Sequence, residues 1–408
     1  MKRYAKLLTT VLTAAVIGTS LVGCGSSSTA SDSKSGGKTL TVWTHLTKDE
    51  LPAVQKVADE WGKKTGNKVK VVLDADSNFK TFTEAAQSSK GPDIGFGYPH
   101  NNAGVYEKEG LLDEVPSGVI NDSDYKVKSV LDGVTWNGKK YGVPIAMETY
   151  ALFYNTDKVK QAPTTTDELI ADAKADGGLQ YDVNNFYFSY AWILSNGGYI
   201  FKNDNGTLKT DDIGLGNAGA IKGYQFIQDL VKKYNFMKGD IKGDDAKGAF
   251  TSGKTAFYIS GAWDVAACNQ AGVHYAIAKL PQVDGQPGKS FMGVQMAFVN
   301  SKSKNKTEAW DLLKALNDKA YDIVYKAGKR IPVKTADLDK DEIKNDKNTQ
   351  AFIDQLQNAE PMPNIPAMDA VFTATGNDLP LLSQGKLTPQ AAAKTIVDQC
   401  KQGIAAQQ

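Results

Sequence analysis

From Thr39 onward the chain alternates short β-rich runs with amphipathic helical stretches, and that cadence restricts its fold more than any other feature. Thr39–Thr44 is β-rich. Lys48–Lys64 then places Leu51, Val54, Val57, Ala58 and Trp61 at helical spacing, and Gly66 stands just past the end as a stop. Lys68–Leu73 reads as a second strand, Phe79–Ser88 as a helix, and Asp93–Phe96 as a strand ending in a Gly-Tyr-Pro loop. Strands joined through helices pair in parallel, so the expected class is α/β, with mostly parallel sheets flanked by helices. Ligands of such sheets sit beyond the carboxyl ends of the strands. Trp43-Thr44-His45 and Gly97-Tyr98-Pro99-His100 both follow predicted strands and are expected at one crevice. The cadence resumes with a helical stripe in Asn217–Tyr234, a strand at Thr255–Ile259 and an amphipathic helix at Lys306–Leu316. Asn205-Gly206 reads as a hairpin turn.

Ahead of this lies a leader. Lys2, Arg3 and Lys6 precede an apolar run from Leu7 to Val22, so residues 1–23 read as a secretory signal, too short for a stable membrane span. Cys24 follows the small residue Gly23, a pattern that resembles a bacterial lipobox and makes Cys24 the expected lipidation site. Residues 24–38 form the lipidated cysteine and a Ser/Gly/Thr-rich flexible tether. The expected location is the extracellular face of the cell membrane, with the lipid as the membrane contact.

Of the 408 residues, roughly 370 remain after leader and tether, enough for two or three domain-sized cores. The formal charge of +1 falls by three, to −2, when Lys2, Arg3 and Lys6 leave with the signal. That balance offers no electrostatic footprint for nucleic acid. Arg3 and Arg330 are the only arginines, so forked recognition of phosphate or carboxylate ligands is not expected. Cys268 and Cys400 stand in a compartment where a disulfide can persist, and the sequence leaves open whether they pair.

Several motifs are decoys. Gly248-Ala-Phe-Thr-Ser-Gly253-Lys254-Thr255 fits the P-loop pattern, but helical residues precede it and a β-rich run follows, the reverse of what a phosphate cradle requires. Asp74-x-Asp76-x-Asn78 opens like a calcium loop, yet Phe79 takes the place of the turn glycine; a strand-to-helix turn capped at Ser77 or Asn78 is expected. His45, His100 and His274 are the only histidines and lack ligand spacing, so neither a metal nor a cofactor is expected. No G-x-S-x-G elbow is present, and no local signature selects a glycosidase carboxylate pair.

Aromatic residues cluster with amides and hydroxyls instead. One cluster runs Asn184-Asn185-Phe186-Tyr187-Phe188-Ser189-Tyr190-Ala-Trp192, a second Ile259-Ser-Gly-Ala-Trp263-Asp264, and Phe372 follows Met368 in a third. Flat rings beside polar groups suit a pyranose, whose C–H face stacks while its hydroxyls need paired donors and acceptors. Composition alone weighs an ordinary aromatic core equally.

Leu40-Thr-Val-Trp43, Thr65-Gly-Asn-Lys-Val69, Gly91-Pro-Asp-Ile94, Glu109-Gly-Leu-Leu112, Pro144-Ile-Ala-Met-Glu148 through Tyr154-Asn155, Asn196-Gly-Gly-Tyr199, Gly253-Lys254 before Ser260-Gly261-Ala-Trp263, and Met362-Pro-Asn-Ile-Pro-Ala-Met368 follow one another in order. With these stretches the chain resembles the extracellular solute-binding proteins of ABC sugar importers, in the maltose/maltodextrin branch, as a lipoprotein of the Gram-positive type. The resemblance implies a two-lobed periplasmic-binding-protein-like fold of type II with a hinge between lobes. Residues 39–146 plus 294–330 would form the N-terminal lobe, and 147–293 plus 331–408 the C-terminal lobe. Hinge crossings would fall near Ala146–Glu148, Met292–Val294 and Arg330–Val333. It further implies a monomer without enzymatic activity that binds maltodextrin between closing lobes and passes it to ABC permease subunits. A cyclodextrin or another oligosaccharide is the alternative ligand; a cell-surface glycosidase or an adhesin are the alternatives from other classes.

Carried over by position, the resemblance makes Glu148 a carboxylate for sugar hydroxyls, Tyr187 and Trp263 stacking rings with Phe188 beside Tyr187, Met362 a lining residue, and Phe372 a ring in place of a tryptophan. His45 completes the set at the crevice. The segment after Phe96 departs from the enteric pattern, being one residue longer and lacking an aspartate–arginine pair. There Tyr98 is expected to supply a ring and Asn101 or Asn102 hydrogen bonds, while Asn185 replaces a glutamate and Thr373 a tyrosine. Loss of charged contacts to one glucose with rings retained predicts a shift from maltose toward longer α-glucans.

Overall fold

The computed structural model describes residues 37–76, 79–88, 90–204 and 207–407. The signal, Cys24 and its tether up to Gly36, the Ser77/Asn78 caps and the Asn205-Gly206 turn lie outside them.

The fold is a two-lobed α/β architecture built on two sheets. The first runs, edge to edge, Ile331–Pro332, Val143–Glu148, Ser290–Val299, Ile94–Pro99, Thr39–Thr44 and Lys68–Leu73, with Ala359–Pro361 also paired to the start of Ser290–Val299. The second runs Tyr275–Ala278, Tyr150–Asn155, Phe257–Gly261 and Leu179–Gln180.

Local chemistry accounts for the first elements. Leu40, Val42 and Thr44 alternate inward along their strand and are fully buried. The helix Leu51–Thr65 carries Pro52 in its first turn, ends at Gly66 in the left-handed region (φ 76°), and buries Val54, Ala58 and Trp61. The Trp61 indole donates to Asp311 Oδ2 at 2.7 Å, tying this helix to Lys306–Asp318. At the next helix, Lys80–Ala86, the Asp76 carboxylate accepts from the amide and hydroxyl of Thr81, both at 2.9 Å. The helix Ala218–Lys232 is capped by Asn217, which accepts from the Ala220 amide at 2.8 Å, and buries Ala220, Tyr224, Ile227, Leu230 and Val231. Strands Lys202–Asp204 and Thr207–Lys209 pair antiparallel around the predicted hairpin turn.

The first three strands pair in parallel through helical crossovers, and Ala359–Pro361 is parallel to Ser290–Val299, but the remaining pairs of the first sheet are antiparallel. Ser290–Val299 is antiparallel to both Ile94–Pro99 and Val143–Glu148, and Ile331–Pro332 is antiparallel to Val143–Glu148. In the second sheet one of the three pairings is parallel. A segment that returns along the path by which the chain left lies head to tail with its neighbour, and no crossover helix reverses it.

The P-loop look-alike is a helix–turn–strand connection, as its context required. The helix Gly243–Thr251 ends there, Gly253 turns at φ 71°, and Phe257–Gly261 follows. A helix C-terminus presents carbonyls, not amides, and repels phosphate. Cys268 and Cys400 are both free and buried.

Candidate binding site

The three expected crossings lie side by side in the first sheet. Gly293, Val294 and Gln295 pair with Glu148, Met147 and Ala146, and Ile331 and Pro332 pair with Met147 and Ala146 on the other side. Glu148 ends its strand at 8 % exposure. The Arg330 guanidinium donates to Glu50 through Nε (2.7 Å) and Nη2 (3.1 Å) and to Glu148 Oε1 through Nη1. Gln295 Nε2 donates to Glu148 Oε2 at 2.6 Å. Glu50, fully buried at the head of the first helix, also accepts from the amide and hydroxyl of Thr47 at 2.8 and 2.9 Å. Gly328 makes room for that carboxylate, since a Cβ there would lie 2.1 Å from Glu50 Oε1. Burial pushes the Glu148 carboxyl above its ordinary range, opposed by Arg330 and Gln295. For Arg330 burial disfavours the charge, but Glu50 and Glu148 outweigh it and raise the guanidinium further.

Aromatic rings stand against this cluster. Asn185 caps the helix Phe186–Ser195 by accepting from the Tyr187 amide at 3.0 Å, which turns its carbonyl onto its own helix. The first turn then sets the Tyr187 and Phe188 rings 5.2 Å apart, with Tyr150 5.0 Å from Tyr187. Trp263 lies 6.2 Å from Tyr187 and 6.4 Å from Phe188. Its indole folds back over Gly261, where a Cβ would come within 2.1–2.2 Å of the ring, so only glycine admits this position. Asp264 beside it is held by Tyr258 Oη and Ser260 Oγ at 2.7 and 2.6 Å. Burial raises the Tyr187 hydroxyl pKa, and the Glu148 charge nearby raises it further. Tyr187, Phe188 and Trp263 therefore form one ring cluster, whose Tyr187 hydroxyl feels the Glu148 charge. Phe372 sits at its flank, 6.0 Å from Phe186.

Met362 is buried, with its amide donating to Met292 O at 3.0 Å and its carbonyl accepting from His100 Nε2 at 3.0 Å. Its neighbour Asn364 accepts from the Trp136 indole at 3.1 Å. The Met-Pro-Asn-Ile-Pro run is thus clamped by residues drawn from early in the chain. A cavity of about 470 Å³ touches Met362, His100, Gly133, Tyr190 and Phe291 but none of Glu148, Tyr187 and Trp263. Phe291 separates it from the ring cluster, stacked 4.3 Å from Tyr190 on one side and 5.8 Å from Tyr187 on the other.

Tyr98 is a correction. It is fully buried, its hydroxyl donates to Asp74 Oδ2 at 2.8 Å, and its ring packs on Phe82 (4.7 Å) and Phe298 (5.8 Å). It is a core ring, not a groove ring. The cause is a β-bulge. Ser290–Val299 pairs Met296 with Tyr98 and Ala297 with Phe96, bypassing Gly97 at φ 78°. One extra residue in a strand turns the following side chain to the other face. Beyond the bulge, Asn101 and Asn102 are half-buried in the turn His100–Asn102, with Asn102 Nδ2 donating to Pro99 O at 3.4 Å. His45 is half-buried, its Nδ1 2.9 Å from Asp74 O and its ring 4.5 Å from Phe79, and burial lowers its pKa.

The sequence placed His100 near the crevice without its role, and Gln295 escaped it altogether. His100 accepts from the Val294 amide through Nδ1 at 3.1 Å while Nε2 holds Met362, and burial lowers it to about 4. Gln295 braces Glu148 from an apolar strand that gives no local signal. Among the described residues no group of three or more His, Cys, Asp or Glu could hold a metal ion, and no helix is long and apolar enough to cross a membrane.

Residues 46–323 match the family described as bacterial extracellular solute-binding protein. The galactooligosaccharide-binding protein of Bacillus subtilis (strain 168) is 31% identical over 99% of each chain. A maltooligosaccharide ABC transporter solute-binding lipoprotein of Streptococcus pneumoniae serotype 4 is 31% identical over 96% of this chain and 97% of that one. Among solved structures, the maltose-maltodextrin binding protein of Alicyclobacillus acidocaldarius superposes with a TM-score of 0.85 at 38% identity, covering 89% of this chain and all of that one. The Thermus thermophilus maltotriose binding protein, bound with maltotriose, gives 0.83 at 29% identity, covering 90% and 100%. The two-lobed fold and these matches agree: the chain belongs to the bacterial extracellular solute-binding protein family.

Proposed function

We propose that this protein is a lipid-anchored receptor on the outer face of the cell membrane, which binds maltodextrin between its lobes and delivers it to an ABC permease without chemical change. The observation that carries the reading is the cluster of Glu148 with the rings of Tyr187, Phe188 and Trp263 at the strand crossings. A neutral polyol suits it, because a carboxylate accepts hydroxyl protons while rings take the C–H faces of the sugar. The lobes are residues 39–146 plus 294–330 and 147–293 plus 331–408, and closure shifts an equilibrium between open and closed arrangements. Cys24 carries the lipid, and the protein acts as a monomer.

Asn101, Asn102 and Asn185 in place of charged groups favour longer chains over maltose. Titration calorimetry of the mature chain with maltose, maltotriose, maltotetraose and a cyclodextrin tests this. Micromolar or tighter binding that strengthens from maltose to maltotetraose is expected; tighter binding of maltose rejects the length preference, and heat from none of the four rejects the ligand class. A second reading, a galactooligosaccharide receptor, is favoured by the 31% identity to the Bacillus subtilis protein over 99% of both chains. A β-1,4-galactotriose arm in the same titration separates the two.

A further inference from the structure

Gln295 is 4 % exposed, and its amide is oriented from one side only. Nε2 donates to Glu148 Oε2 at 2.6 Å, and flipping the amide would set its carbonyl against a carboxylate, so Oε1 must point away from Glu148. That Oε1 is buried and has no hydrogen-bond partner among the described residues. A buried carbonyl left without a donor is costly and uncommon in a folded protein. The Tyr187 hydroxyl, which feels the Glu148 charge, is the other unpartnered buried polar atom in this cluster.

The backbone supplies an independent sign that Gln295 is aimed. The pairings on both sides of its strand change register just beyond it. On one side the pairing passes from Gln295–Ala146 to Met296–Pro144, skipping Ile145. On the other it passes from Met296–Tyr98 to Ala297–Phe96, skipping Gly97. Bulges re-aim side chains and recur beside binding sites; here two fall within two residues of Gln295, just after it along its strand.

We infer that Gln295 is a further sugar-binding residue, whose amide carbonyl works beside the Glu148 carboxylate to accept protons from adjacent hydroxyls of the ligand. The inference rests on the oligosaccharide-receptor reading. The chemistry is selective: acceptors held side by side require a ligand rich in neighbouring donors, which a vicinal diol provides and an anion does not. Tyr187 Oη then donates to a ligand oxygen, so that the three groups read a diol and its neighbouring oxygen. Arg330 acts through Glu148 as a positioning residue, keeping one carboxylate oxygen directed while Gln295 holds the other.

The test compares the mature wild-type chain, Gln295→Met and Gln295→Lys in detergent solution. Each is titrated calorimetrically with maltotriose, maltotetraose, α-cyclodextrin and β-1,4-galactotriose, and melted without sugar. Gln295→Met removes donor and carbonyl together; Gln295→Lys keeps a donor for Glu148, now charged, and removes the carbonyl. For the sugar that wild type binds best, the expected result is a loss of tenfold or more in both variants, with the unliganded melting temperature of Gln295→Met equal to or above wild type. Affinity within twofold of wild type in both overturns the inference and leaves the receptor reading intact. Retained affinity in Gln295→Lys alone makes Gln295 a brace for Glu148 and also overturns it, as does an affinity loss matched by a fall in melting temperature. No binding of any of the four sugars by wild type overturns the reading and the inference together.

Discussion

Arg330 donates to both carboxylate oxygens of Glu50, at 2.7 and 3.1 Å, across 280 residues of sequence. Arg3 is the chain's only other arginine. With Glu148 on its third nitrogen Arg330 ties the head of the first helix to two of the three strand crossings. Removing one partner of a buried ion pair leaves an uncompensated charge, so Arg330→Met is expected to destabilise the fold by about 3–5 kcal/mol. Arg330→Lys should recover less than half of that, since an ammonium lacks the fork that spans two carboxylates. Urea denaturation followed by tryptophan fluorescence measures both; Arg330→Met within about 1 kcal/mol of wild type would show that the triad contributes little.

The Trp263 indole occupies the space that a Cβ on Gly261 would take. Trp263→Ala should therefore lower oligosaccharide affinity, and Gly261→Ala should do the same by displacing the ring while leaving every aromatic residue in place. Stacking at this level corresponds to about 1 kcal/mol or more beyond area burial, roughly a fivefold loss or greater. Calorimetric titration of both variants decides it, and unchanged affinity in Gly261→Ala would mean that the indole binds from another position.

His100 gives the fold a dependence on acid. Its imidazole is buried and neutral, with a folded pKa lowered from 6.5 to about 4. Between those values the unfolded chain binds a proton that the folded chain does not, so stability from this group is full above pH 6.5 and falls as pH drops toward 4. The maximum contribution is about 3 kcal/mol, at 1.36 kcal/mol per unit. Denaturation midpoints of wild type should fall through that window. Those of His100→Gln, although lower at pH 7 for want of the Val294 and Met362 hydrogen bonds, should fall less steeply. Parallel curves for the two proteins would remove His100 as the source.

Cys268 and Cys400 are free, buried, and pushed by burial up to about 12. The thiolate is the reactive form, so neither should react with a thiol reagent at pH 8 in the native state, and both should react in urea without a reductant. Recovery of two thiols only after reduction would reveal a disulfide instead.

The resemblance that named Glu148, Tyr187, Phe188 and Trp263 rests on short stretches, and the fold brings the three rings together. Glu148 closes a strand, Tyr187 and Phe188 open a helix that Asn185 caps, and Trp263 follows a small-residue turn; each signal spans a few residues, and the fold keeps it intact. Tyr98 was misread because its orientation depends on a bulge at Gly97, and a bulge shows only in the pairing with Ser290–Val299, some 200 residues away in sequence. Gln295 was missed for the converse reason. It lies in a run of apolar residues where one amide carries no pattern, and its meaning comes from Glu148, 147 residues distant.

The sequence by itself determined the alternation of strands and helices and the helix–turn–strand order at the P-loop look-alike, because periodicity and turn chemistry act over neighbouring residues. Tertiary structure alone decided which sheet pairs run antiparallel, that the Tyr98 ring lies in the core, and that Arg330 joins Glu50 to Glu148. Those outcomes depend on strand register and on burial of charges drawn from distant segments. Neither quantity exists until the segments meet.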